Sequence, residues 1–151
     1  MKHLAILIAI SLGSFVHADE KILFNGKDLT GWKGLPGFWS VKDGAITGQN
    51  TAANPVKENT FLIWEGEVGD FELHFKYKIT DGDGKAEKGG NSGIQYRSKE
   101  LPENGKWSIG GYQCDIHPAA PNNAMVYEER GRGIIAQNGQ GVVIDPEGKR
   151  W

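Results

Sequence analysis

The chain has 151 residues, enough for one domain with a single hydrophobic core and too few for two. Its 22 glycines are about twice the usual share. Together with five Trp, four Tyr and six Phe they favour a turn-rich β-sandwich and exclude a coiled coil, collagen or a disordered tail. With 17 Lys and Arg against 19 Asp and Glu, the net charge of −2 attracts neither nucleic acid nor an anionic membrane, and we expect neither as a partner.

The first eighteen residues have the layout of a secretory signal peptide. A short basic start, Met1–His3, precedes an apolar run from Leu4 to Val16, and Val16 and Ala18 occupy the two positions that a signal peptidase reads. We therefore expect cleavage after Ala18 and a secreted or periplasmic domain of residues 19–151. The alternative is a buried N-terminal helix. The apolar run is shorter than the roughly 20 residues that a membrane span requires, so no span is expected.

The following residues read as short strands separated by turns. Asp43-Gly44 lies between the extended runs 38–41 and 45–48, which predicts a β-hairpin because glycine adopts a positive φ without penalty. Residues 60–64 form another run. From Phe71 to Ile79 apolar and polar residues alternate strictly, the pattern of an antiparallel strand that covers a core on one side.

A Gly-rich polar segment separates this run from the second half of the chain. It contains Asp81-Gly82-Asp83-Gly84, which resembles the start of a calcium loop, but Lys85 and Ala86 break the pattern and favour a solvated turn. No other motif specifies a metal or cofactor, so the cofactor stays unknown. Further strands are predicted at residues 91–97, 109–116, 125–127, 133–137 and 142–144. The sequence thus predicts an all-β, antiparallel β-sandwich of jelly-roll type.

Two of these predicted strands place polar side chains on one face. Gln95 and Arg97 alternate with apolar residues on the first strand, and Gln113, Asp115 and His117 do so on the second. If the strands are neighbours, these groups form one patch suited to a polyhydroxylated ligand, with Trp or Tyr available to stack on a sugar ring. An ordinary solvated sheet face would give the same alternation, and periodicity does not separate the two interpretations.

The single cysteine, Cys114, excludes an internal disulfide. It lies on the apolar side of its predicted strand, so we expect a buried, small apolar side chain. Its neighbours Gln113 and Asp115 would not lower the thiol pKa, which argues against a nucleophile.

The segment from Met125 to Gly133 is dense in charge. Glu128 and Glu129 stand beside Arg130 and Arg132, an arrangement that can bring guanidinium forks and a general base to a ligand. The alternative is a charged turn whose ions pair in solvent and contribute little.

Four motifs together resemble one known family, over nearly the whole chain after the leader. They are Leu23-Phe24-Asn25-Gly26-Lys27-Asp28-Leu29-Thr30-Gly31-Trp32, Phe38-Trp39-Ser40-Val41-Lys42-Asp43-Gly44-Ala45-Ile46, Gly69-Asp70-Phe71-Glu72-Leu73 and Gly90-Asn91-Ser92-Gly93-Ile94-Gln95-Tyr96-Arg97. The chain resembles the 3-keto-disaccharide hydrolase domain family, whose members are concanavalin-like or laminin-G-like jelly rolls and are usually secreted.

The resemblance implies hydrolysis or elimination of 3-keto-glycosides by C2 proton abstraction and cleavage at C1, on a small carbohydrate oxidised beforehand by a sugar 3-dehydrogenase. The base would be Asp115, His117 or Glu129. A divalent ion could share the stabilisation of the enolate, without a ligand set specific enough to name. The residues expected to bind substrate are Gln95, Arg97, Gln113, Tyr127, Arg130 and Arg132.

The chain departs from the family pattern in two places. It has Gln113 and Asp115 where the family more often has Glu and then Gln, which favours either a shifted catalytic carboxylate or an inactive subgroup. The chain also ends at Trp151, before the family's closing strands, so we expect a C-terminally truncated jelly roll. Two alternatives to an enzyme therefore stay open, a non-catalytic carbohydrate-binding module and a truncated, inactive fragment.

Overall fold

The computed structural model describes residues 20–80, 90–118 and 120–151. The predicted signal peptide and the Asp81–Gly84 turn lie outside these ranges. Within them, no helix combines the length and the apolar character needed to cross a bilayer.

The fold is all-β, and its sheets are antiparallel throughout. The strands are β1 (Trp32–Gly34), β2 (Trp39–Lys42), β3 (Ala45–Gly48), β4 (Leu62–Trp64), β5 (Ser92–Glu100), β6 (Ile109–Ile116), β7 (Val126–Glu129) and β8 (Gly133–Ala136). A single 3₁₀ turn, Pro102–Asn104, is the only helical element of the described residues. β1 pairs with β4, β2 pairs with β3, and β5 to β8 form a four-stranded sheet in chain order. This architecture of several antiparallel sheets agrees with the predicted β-sandwich class.

The predicted hairpin at Asp43-Gly44 is confirmed. Lys42 and Ala45 face each other at the ends of β2 and β3, so the connection has two residues. Both have positive φ, 51° for Asp43 and 72° for Gly44. A two-residue loop of this kind matches the natural twist of the strands that it joins.

The motif before β1 builds a turn. The Asn25 Oδ1 accepts hydrogen bonds from the backbone N–H groups of Lys27 at 2.8 Å and Asp28 at 3.0 Å. The Asp28 carboxylate in turn accepts from the Asn25 side chain and from the Thr30 backbone N–H. The Asn25 hydrogen bond, followed by those from Thr30, lowers the pKa of Asp28. The first of the four motifs is thus a turn that side-chain hydrogen bonds close, and it leads directly into β1.

The prediction of a strand over Phe71–Ile79 is wrong. The segment belongs to no strand, and four of its five odd-numbered side chains are exposed, from 37% for Leu73 to 54% for Tyr77. An alternating sequence is compatible with a β-strand, but a strand also needs a neighbouring strand to hydrogen-bond with. None of the described residues supplies that neighbour. The run at 142–144 likewise forms only an isolated bridge, between Ile144 and Arg150.

The prediction that Cys114 is buried is also wrong, because its side chain is exposed. The most buried apolar side chains are Ile109, Ile116 and Met125, at the ends of β6 and just before β7. No described residues cover the middle of the Cys114 face closely enough to bury the thiol. Burial is deepest instead on the opposite face, where Asp115 is only 3% exposed.

Candidate functional site

One face of the four-stranded sheet carries a row of polar side chains. Residues directly opposite each other in an antiparallel ladder share a face. Gln95 on β5 faces Gln113 on β6, which faces Tyr127 on β7. Asp115 and Glu129 fall on the same side by the alternation of β6 and β7. We call these five side chains the polar face.

A chain of hydrogen bonds runs along one end of the polar face. The Gln95 Nε2 donates to the Gln113 Oε1 at 3.2 Å, and the Gln113 Nε2 donates to the Asp115 Oδ1. Ser98 extends the chain, because its hydroxyl lies 3.0 Å from the Gln95 Oε1. These contacts fix the orientation of both amides, so the Asp115 carboxylate sits in a defined polar setting.

Asp115 has the environment of a general base. Burial is the main cause that raises its pKa above the ordinary value. The hydrogen bond from Gln113 and the charge of His117 act in the opposite direction and lower it. His117 follows β6 directly, and its backbone N–H donates to the Asn123 Oδ1 at 3.2 Å. A carboxylate whose pKa is raised holds a proton more readily, which suits proton abstraction from carbon.

Gly93 makes room for this arrangement. It lies opposite Asp115 on β5. A Cβ atom there would meet the side chain of Gln113 at 2.5 Å and the backbone oxygen of Cys114 at 3.0 Å. The missing side chain lets Gln113 lie across the ladder toward Asp115. A glycine inside a strand often marks such a close approach.

The other end of the polar face holds a second buried carboxylate. Glu129 is 8% exposed, and its Oε2 accepts a hydrogen bond from the Asn59 Nδ2 at 3.0 Å. Glu129 faces Gly111, four residues before Asp115 on β6. At about 3.4 Å per residue, the backbone positions of Asp115 and Glu129 are about 14 Å apart along the strand direction. Tyr127 lies between these two positions on the polar face.

The three arginines of the predicted site occupy three different places. Arg97 sits where the β5–β6 register shifts, with a φ of 47°, and its guanidinium pairs with Asp70. Arg130 follows Glu129, with a φ of 54°, and its guanidinium is 4.0 Å from Glu58.

Arg132 belongs to the opposite face of the sheet. It pairs with Glu128, and its Nη2 lies 3.0 Å from the Tyr112 hydroxyl. The pair lowers the pKa of Glu128 through hydrogen bonds from the Arg132 side chain and backbone. The structure thus brings Gln95, Gln113 and Asp115 together and does not bring Arg97 or Arg132 to them.

Similarity to known proteins identifies the family of the chain. Residues 19–148 match the model of the 3-keto-alpha-glucoside-1,2-lyase-like domain. The chain belongs to this family. It is also similar to a 3-keto-disaccharide hydrolase of Bacteroides thetaiotaomicron, with 31% identity over 99 residues. That match takes in 60% of this chain and 32% of the relative, so the similarity concerns about a third of the relative's length. No solved structure matches the chain.

Two residues of the site, Gly93 and Asn59, were not predicted from the sequence. Gly93 carries a usable signal, because it interrupts a strand pattern beside a polar partner strand. Asn59 carries none, since it lies 70 positions from the Glu129 that it contacts, in a segment without a motif.

The structure offers no metal centre among its described residues. In residues 20–80, 90–118 and 120–151, no three His, Cys, Asp or Glu side chains are grouped so that they could hold an ion.

Proposed function

We propose that this domain is a secreted enzyme that cleaves 3-keto-glycosides by removing the C2 proton and releasing the C1 substituent. Membership of the lyase-like family and the hydrolase name of the relative support the substrate class. The single observation that carries the mechanism is the buried Asp115 carboxylate, whose pKa burial raises and whose position Gln113 fixes.

A ketone at C3 makes this chemistry accessible to a modest base. The carbonyl acidifies the adjacent C2–H bond, because the electron pair left behind is delocalised onto the C3 oxygen as an enolate. Asp115 takes the proton. The enolate then restores the C3 carbonyl, forms the C1–C2 double bond and breaks the bond from C1 to the glycosidic oxygen, which takes up a proton and leaves as an alcohol. Addition of water to C1 of the resulting enone completes hydrolysis, and without that step the reaction is an elimination.

Charge develops on the C3 oxygen during proton removal and needs hydrogen-bond donors. Gln95 and Gln113 each carry an amide N–H that the hydrogen bonds above leave unassigned, and both amides are already oriented on the polar face. They supply preorganised donors close to the base. His117, whose charge already influences Asp115, is the candidate to exchange a proton with the departing C1 oxygen.

The signal-peptide pattern of the first eighteen residues supports secretion. The structure of the substrate indicates which reaction must produce it. A 3-keto-glycoside arises by oxidation of the C3 hydroxyl, so a sugar 3-dehydrogenase would act upstream. The ligand is thus a small carbohydrate presented after oxidation.

The test is turnover of 4-nitrophenyl 3-keto-glucoside, followed by release of nitrophenol. We expect Asp115→Asn to lower kcat/KM at least a hundredfold, the usual scale for loss of a general base. Asp43→Asn is the matched control, because it makes the same chemical change in an exposed turn where Asn is well tolerated. Glu129→Gln tests the other buried carboxylate and should reduce kcat/KM less than Asp115→Asn.

Three results would contradict the proposal in different ways. Turnover that survives Asp115→Asn assigns the base elsewhere. Calorimetric binding of plain oligosaccharides without turnover identifies a carbohydrate-binding module. A wild-type chain without a cooperative thermal melt is an inactive fragment.

A further inference from the structure

The described residues form a cleft of about 380 Å³ beside the Glu129 end of the polar face, outside the catalytic group around Asp115. Its walls come from the segment before β4 and from the turn between β5 and β6, which lie far apart in sequence. Asn59, the hydrogen-bond partner of Glu129, is part of the lining. The cleft therefore continues the polar face.

The lining is cationic, although the whole chain carries a net charge of −2. Lys57, Lys106 and Arg130 contribute three positive charges and Glu58 one negative charge. The contact between Arg130 and Glu58 is 4.0 Å long and exposed to solvent, so it binds the guanidinium weakly. Among the described residues no shorter ion pair holds these three cations, so an anionic group that enters the cleft would meet available donors.

An aromatic ring also lines the cleft. Trp107 is half-buried, and the Lys106 ammonium lies 5.0 Å from its ring centroid. An aromatic ring beside a cation is suited to a sugar that carries a charged substituent.

We propose that this cleft binds the leaving-group side of the substrate and selects a sugar with an anionic group, such as a carboxylate. The inference rests on the proposed function for the ring bound near Asp115. The backbone positions of Asp115 and Glu129 lie about 14 Å apart along the strand direction, which leaves room for two sugar rings side by side on the polar face. The subsite thus selects the aglycone rather than performing the chemistry.

The experiment compares calorimetric binding of two unoxidised disaccharides, cellobiose and glucosyl-β-1,4-glucuronic acid, which differ by one carboxylate. We expect the acid to bind at least tenfold more tightly at low ionic strength, with the preference shrinking as salt rises. Lys106→Gln with Arg130→Gln should remove the preference, so that the acid and cellobiose bind with similar affinity. Lys27→Gln, in an exposed turn remote from the cleft, is the control for loss of a positive charge.

The outcomes separate this inference from the proposed function. Equal affinity for both disaccharides, no binding of either, or a preference that survives the double variant overturns the subsite, whatever the turnover assay shows. Selective binding without turnover supports the subsite and contradicts only the enzymatic proposal. Thermal melts of each variant show whether a lost binding preference results from unfolding. Lys106→Gln alone, a smaller change, should reduce the preference in part.

Discussion

At the scale of single residues, Asp115 carries opposing demands. Burial penalises its charged form and raises its pKa, while the Gln113 hydrogen bond favours the charge. The protein therefore holds a carboxylate in a place that costs stability whenever it is ionised. Such a conflict is common where a side chain is kept for chemistry rather than for packing.

This conflict predicts a pH-dependent difference in stability between wild type and Asp115→Asn. Because the folded-state pKa is raised, the native state binds this proton more tightly than the unfolded chain does. Wild type therefore loses stability as the pH rises from the ordinary Asp value through the raised one. Asp115→Asn lacks this loss, so its free energy of unfolding should rise relative to that of wild type over the same pH range. Denaturant unfolding at several pH values would measure the difference.

Asp43→Asn provides the comparison for this measurement, since it removes a carboxylate from an exposed turn. A difference between wild type and Asp115→Asn that stays flat, or grows as the pH falls, would contradict the assignment of burial as the dominant influence.

At the scale of elements, the β5–β6 pair shows how a backbone position controls a side-chain network. Gly93 on β5 lies under the Gln113 side chain of β6. The strand gives up the side-chain packing that another residue would provide at this position. In return, the Gln113 amide reaches the Asp115 carboxylate.

Gly93→Ala should therefore disturb the site more than the fold. The new Cβ would push Gln113 aside, and Asp115 would lose the hydrogen bond that lowers its pKa. We expect kcat/KM to fall at least tenfold, and the acidic limb of the pH–rate profile to move to higher pH. Gly69→Ala is the matched control, because a Cβ there meets nothing within 4 Å. A lower kcat/KM with an unmoved pH profile would refute the positioning role of Gly93.

At the scale of the whole molecule, order is unevenly distributed. β6 is paired on both sides, with β5 and with β7, and carries the buried Ile109 and Ile116. The segment 71–79 has no strand neighbour among the described residues and exposes its aromatic side chains. Few buried contacts and unpaired backbone groups mark the regions that open most easily.

Native-state hydrogen exchange should reveal this gradient directly. We expect the amides of β6 to be the slowest to exchange and those of 71–79 to exchange close to the unprotected rate, as mass spectrometry of peptic peptides would measure. The β2–β3 hairpin, which is paired on one side only, serves as the internal reference between the two extremes. Protection of 71–79 equal to that of β6 would mean that this segment has a partner in solution.

The sequence allowed the strands and the polar face to be predicted where the signal was local. Asp43-Gly44 fixed its hairpin because both turn residues act through their own backbone angles. Gln95, Gln113 and Asp115 of the polar face were predictable from alternation on β5 and β6, whereas Tyr127 and Glu129 join that face through the pairing of β7. Phe71–Ile79 shows the limit, since alternation describes how a segment could pair and not whether a partner is present.

The candidate site was predictable only in part, for the same reason. Gln95, Gln113 and Asp115 came together because neighbouring strands share a register. Arg97 lies at a β-bulge where the pairing of β5 and β6 shifts, and the alternation of side chains does not predict this bulge. Asn59 joins the site through a contact across 70 positions, which no local pattern specifies.

The separation of the two buried carboxylates has a consequence for what happens after bond cleavage. On the proposed function, an intact disaccharide contacts both ends of the polar face at once, so binding at one end raises the effective concentration of the other ring at its own end. Once the C1 bond is broken, each fragment retains only one set of contacts and loses that advantage. On the proposed function, either product alone should compete poorly with fresh substrate, and turnover would proceed with little product inhibition.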